Sequence, residues 1–89
     1  MNPVVIRIDE QHAAASLEAA AQQMESSAKE VSLDFTSVHR VDPSALRALA
    51  KVADVAREQA VEVVLQGVNI EVYKTLKLMK VTHHFLFAS

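Results

Sequence analysis

Three stretches of this chain place apolar residues at every second position, and each is followed by a stretch that places them at every third or fourth. Val4, Ile6 and Ile8 alternate with Val5, Arg7 and Asp9. Val31, Leu33 and Phe35 alternate with Ser32, Asp34 and Thr36 inside Glu30 to Thr36. Val61, Val63 and Leu65 stand opposite Glu62, Val64 and Gln66. A period of two buries one face of a strand and leaves the other outside. Between the first two strands, from about Glu10 to Ser27, the period changes: Ala13, Ala14, Leu17, Ala20, Ala21 and Met24 mark one face of an alanine-rich helix. Pro43 to about Gln59 reads as a second helix. Gly67 ends the third strand, and Asn69 caps a third helix running to about Lys80, with Val72, Leu76 and Met79 inward and Tyr73 at the flank. His84 to Phe87 reads as a last strand or a docked tail.

The order β-α-β-α-β-α-β predicts an α/β fold, with about four strands in a mostly parallel sheet joined by right-handed crossovers. A sheet covered on both faces has strands that are apolar throughout. Three of these strands alternate, so the helices are expected mainly on one face, with the other face partly solvated or covered by a partner. A chain of 89 residues with 51% hydrophobic content supports one core.

Composition removes several function classes. There is no cysteine, hence no disulfide or thiolate chemistry. The single glycine is incompatible with a phosphate-cradling glycine-rich loop. Nine basic against eleven acidic residues give a net charge of −2, too balanced for an electrostatic nucleic-acid binder. No apolar run approaches the roughly 18 residues of a membrane span, and the start of the chain lacks the charge and apolar pattern of a secretory signal. A cytoplasmic protein that does not insert into the membrane is expected.

The junction "VHRVDPSALRAL", Val38 to Leu49, joins the second strand to the second helix. Asp42 is placed to accept from the free N–H groups of the first turn, and Pro43 falls at N1, where its fixed φ helps and its missing N–H costs nothing. The stretch is thus fully explicable as a helix start. Ser44 at N2 lies where a phosphate would meet a favourable helix dipole, which makes it suitable for phosphorylation without showing that it occurs. On a helical wheel Ala45, Leu46, Leu49, Ala50, Ala53 and Ala56 share a sector expected to face the core, opposite Ser44, Arg47, Lys51, Asp54 and Glu58. Ala48, Val52 and Val55 lie between, spaced i, i+4, i+7. They are either the edge of a wide core face or a docking strip, since helix-in-groove recognition uses that spacing.

With these residues in view, the chain resembles a STAS domain, the fold of sulfate transporter tails and anti-sigma factor antagonists. "LDFTSVHRVDPSAL" and "VNIEVYKTLKLMKV" are similar to the family's strand, loop and helix start and to its later strand break and helix. The resemblance covers essentially the whole chain and implies one STAS-like domain over residues 1–89, acting as a switch or adaptor without catalysis or cofactor. Two positions depart from the pattern. The family's phosphate acceptor directly follows the aspartate, where this chain has Pro43, and the motif glycine is Ala45; Ser44 matches the second hydroxyl position. The resemblance therefore implies docking of an anti-sigma or kinase-like regulator through Val38 to Val55, without the usual phosphorylation switch. The partner-binding residues expected are His39, Arg40, Asp42, Ser44, Arg47, Ala48, Lys51, Val52 and Val55, with Ser44 as the candidate phosphosite. "VVLQGVNIEVYKTLKLMKV" also looks like the small STAS subunit that binds and stabilises the ATPase of a bacterial phospholipid-transporting ABC system, which is the alternative partner.

Other constellations carry less. His83 and His84 would point to opposite faces of a strand, and His12 and His39 have no acidic or histidine neighbour at ligand spacing, so no metal site is expected. Asp9, Glu10, Asp34 and Asp42 could gather at strand ends as a phosphoacceptor, but Asp42 has a capping role and Asp34 lies on a strand. No nucleophile elbow accompanies the serines. Lys74, Lys77 and Lys80 recur at spacing three, as in a solvated face, with contact to an acidic partner or anionic membrane surface as the alternative.

Overall fold

The alternating segments pair as the sequence predicts. The computed structural model describes residues 4–24 and 29–88. Its strands are β1 (Val4–Arg7), β2 (Glu30–Asp34), β3 (Glu62–Gln66) and β4 (Leu86–Ala88), and its helices are α1 (Ala13–Gln23), α2 (Pro43–Gln59) and α3 (Ile70–Leu78). Short 3-10 turns at Glu10–His12 and Thr82–His84 lead into α1 and β4. All strands are parallel in the order β1-β2-β3-β4, with Val4, Val31 and Val63 in one row and Ile6, Leu33, Leu65 and Phe87 in the next on the same face. Strands laid down in chain order by right-handed crossovers carry all three helices to one face. The fold is α/β, with four parallel strands and three helices.

The core lies between that sheet face and the helices. Val31, Leu33, Val63 and Leu65 meet Leu17 and Ala20 of α1, Leu49 and Val52 of α2 and Val72 and Leu76 of α3 in one buried cluster. No described helix covers the opposite face. Its middle row is Val5, Ser32, Val64 and Leu86, with Val5 and Leu86 exposed at the edge strands and Ser32 buried at the centre. Gly67 turns the chain out of β3 at φ +69, and a β-carbon there would collide with Thr36 Cγ2, so this position requires glycine on both counts.

Several sequence expectations need correction. α2 is rotated about its axis relative to the expected sector. Its buried residues are Ala45, Ala48, Leu49, Val52, Ala53 and Ala56, while Ala50 is exposed and Leu46 and Val55 are half-buried. Ala48 and Val52 therefore belong to the core and are not accessible to a partner. The physical reason is area: a valine side chain removes more apolar surface from water than an alanine methyl, so the helix turns Val52 inward and leaves Ala50 outside. Met79 is 55% exposed, because α3 stops at Leu78 and Lys80 adopts φ +61, turning the chain away from the helix axis. His84 lies in the 3-10 turn rather than in a strand. The expected extension of the first helix to Ser27 lies outside the described residues.

The rotation of α2 has a direct test. Val52→Asp places a carboxylate in a site with no solvent exposure, at a cost of about 3 kcal/mol or more, a large part of the total stability of a small domain. Ala50→Asp on the exposed side changes stability by about 1 kcal/mol or less. Urea unfolding followed by circular dichroism should show the first variant unfolded or nearly so and the second close to the parent.

Candidate functional site

β2 ends at the carboxyl edge of the sheet, and the chain from Phe35 to Val41 crosses that edge to reach α2. Phe35 and Val38 are fully buried and anchor the loop from below, while the Val38 N–H closes a turn by donating to the Phe35 carbonyl at 2.9 Å. Asp34 tightens the exit: its Oδ1 accepts from the Thr36 hydroxyl at 2.6 Å and the Thr36 N–H at 2.9 Å. These two bonds, the hydroxyl's first, hold its carboxyl below the usual aspartate range.

The rest of the loop is gripped from both sides. Glu10, at the start of the 3-10 turn after β1, accepts on Oε1 from the N–H groups of His39 and Arg40. Asn69, between β3 and α3, donates its Nδ2 to the carbonyls of Val38 and His39 at 3.4 Å each, while its Oδ1 accepts from the Val72 N–H at 2.8 Å and caps α3. Asp42 accepts from the Ala45 N–H at 2.7 Å, with Pro43 at the first turn of α2. The helix start read from the sequence is therefore formed.

This framework leaves His39, Arg40, Asp42, Pro43, Ser44, Arg47 and Lys51 exposed along the loop and the outer face of α2. The Arg47 guanidinium donates to Ser44 Oγ at 3.3 Å. Val55 is half-buried farther along the helix. Beside this face lies a groove of about 380 Å³ lined by Pro43, Leu46, Arg47, Ala50, Met79 and Val81. Periodicity had assigned Leu46, Ala50 and Met79 to the core, and so concealed the groove.

The carboxylates weighed as a cluster have separate tasks. Asp9 accepts from the Gln11 N–H and lies 3.3 Å from His12 Nδ1. Glu10 holds the loop, Asp34 its exit and Asp42 the helix. Among the described residues no three histidine or acidic side chains come together as a metal site. Two expectations about histidines change. His12 and His39 each lie beside a carboxylate, the latter with Nδ1 3.7 Å from Glu10 Oε1. His83 and His84 do not diverge as on a strand, because the 3-10 turn brings their ring centroids to 4.0 Å. Sequence reasoning missed the gripping roles of Glu10 and Asn69. Their signal was positional: both follow strands whose carboxyl ends a parallel sheet places on one edge.

The two N–H donors from His39 and Arg40 hold the Glu10 carboxyl below the ordinary glutamate value. With the folded pKa depressed, the grip is fully present above the unfolded value of about 4.3 and is lost as pH falls through the lower folded one. The amide resonances of His39 and Arg40 should titrate together with a midpoint below about 4.3, and in Glu10→Gln that titration should vanish. A midpoint at or above the ordinary value would contradict the grip.

Comparison with known proteins gives three results. The STAS domain family model matches residues 2–89. Among solved structures, a candidate anti-sigma factor antagonist from Thermotoga maritima superposes with a TM-score of 0.75 at 12% identity, covering 100% of this chain and 76% of that one. No curated protein sequence matches.

Proposed function

Because the chain belongs to the STAS domain family, we propose that it is a non-catalytic cytoplasmic docking module, binding a regulatory protein in the manner of an anti-sigma factor antagonist. The proposed contact surface is the loop from Val38 to Val41 and the start of α2, with His39, Arg40, Asp42, Ser44, Arg47 and Lys51 as the contacting side chains. Val55 is at its margin. Ala48 and Val52 act only by supporting the helix from within the core.

One observation carries this reading: the loop backbone is held by side chains from two other segments, Glu10 and Asn69. A loop fixed before binding has little ordering entropy left to lose, which favours association. Nothing about a solvated connection requires such a grip, whereas a recognition surface benefits from it.

Pro43 at the position after Asp42 favours a contact that is not broken by phosphorylation. The same observation supports a second reading, in which the partner is the ATPase of a phospholipid-transporting ABC system and the contact is a standing one. Ser44 is the one hydroxyl in the first turn of α2, and its contact with Arg47 suffices to explain its presence.

Capture from native lysate, with mass analysis of bait and prey, tests the proposal. Arg40→Glu and Arg47→Glu should fold as the parent and lose the prey, by about tenfold or more in affinity if either residue is a central contact. Equal capture by both variants would show that the surface is wrong. An ABC ATPase with unmodified bait supports the second reading, a kinase-like regulator the first. Stoichiometric phosphate on Ser44 would restore the switch that Pro43 argues against.

A further inference from the structure

α2 lies between α1 and α3 in chain order, but among the described helices it packs far more closely against α1 than against α3. On the other side the helices leave the groove described above, with Leu46 and Ala50 on one wall and Met79 and Val81 on the other. Leu46 and Ala50 are four residues apart, so they form a row along one helix, the geometry into which the side chains of a second helix pack. Met79 and Ala50 are exposed, and Leu78 beyond the rim is 82% exposed.

Exposed cations lie on and next to the groove. Arg47 lines it, Lys51 directly follows Ala50 on α2, and Lys77 and Lys80 lie within two residues of Met79 in the chain. Among the described residues the ion pairs involve His12, His39 and Arg57, leaving these four cations without a carboxylate. The chain as a whole carries a net charge of −2, so this positive charge is local. Asp54, one turn beyond Ala50 in the same row, is paired with Arg57 at 3.2 Å, Glu58 lies a further turn along α2, and Asp42 is engaged in capping the helix.

We propose that this groove receives the apolar face of an acidic amphipathic helix from the protein partner, with its carboxylates meeting Arg47, Lys51, Lys77 and Lys80. The inference rests on the reading of the chain as a docking module and names the chemistry that the partner presents. Two other occupants fit less well. A planar anionic bilayer does not enter a concave groove, and four cations are few for a stable hold on its surface. A second copy meeting this same face across a two-fold axis would set Arg47 and the neighbouring lysines against their own counterparts, like charge against like.

The test uses a synthetic helical peptide with leucines at i, i+4 and i+7 flanked by glutamates, together with its lysine-for-glutamate counterpart, titrated into isotope-labelled protein. The acidic peptide should shift the resonances of Leu46, Ala50, Met79 and Val81. Ala50→Glu, a surface change, should weaken its binding about tenfold or more, as should raised salt. Met79→Ser should weaken it by a smaller factor. No binding of the acidic peptide, equal binding of the basic one, shifts confined to other surfaces, or indifference to Ala50→Glu would each overturn the proposal. So would groove-dependent sedimentation with phosphatidylglycerol vesicles in the absence of peptide binding, or groove resonances that move with protein concentration alone. If Arg40→Glu abolishes capture of the native partner while Ala50→Glu leaves it unchanged, the groove inference fails and the docking reading stands. If the peptide binds as described but neither Arg40→Glu nor Arg47→Glu affects native capture, the docking surface fails instead.

Discussion

Four parallel strands laid side by side in chain order force every strand to deliver its carboxyl end to the same edge of the sheet. The segments leaving β1, β2 and β3 therefore emerge next to one another. β2 has a neighbour on each side, so the segment that follows it is the one flanked by both others. Glu10 arrives from the β1 side and Asn69 from the β3 side, and each bonds the middle loop across about thirty residues of sequence. The two grips are complementary: the carboxylate can only accept and takes the N–H groups, while the amide donates to the carbonyls. Topology sets the neighbourhood, and the side-chain chemistry sets which backbone groups are satisfied.

The regular elements were legible in the sequence because they follow local rules. The bounds of α2 fall at Pro43 and Gln59 as read, since Asp42 and Pro43 mark its start. Its rotation was not legible, because counting apolar positions gives Ala50 the same weight as Val52, whereas burial depends on the area removed from water. Met79 fits the helical period but comes after the helix has ended, and its exposure follows from the turn at Lys80. Residues with small apolar side chains thus gave the helix its identity without fixing its orientation. The grip of Glu10 and Asn69 has no periodic signature at all, and it becomes visible only once the strand order is known.

The chemistry of the surface is narrowed by what has already been used. The N–H groups of His39 and Arg40 go to Glu10, the carbonyls of Val38 and His39 to Asn69, and the Ala45 N–H to Asp42. Pro43 has no N–H to offer. The start of α2, in principle a place for an external anion, is thus already capped by a carboxylate of its own chain. With these backbone groups engaged, a partner docked as proposed would meet chiefly side chains: His39, Arg40, Ser44 and Arg47 on the loop and helix start, and the apolar row beside them. Such recognition depends on shape and charge presented by a prearranged framework. Under the proposed reading, such a framework would favour a protein contact over the capture of a small anion, with little of the loop left to order on binding.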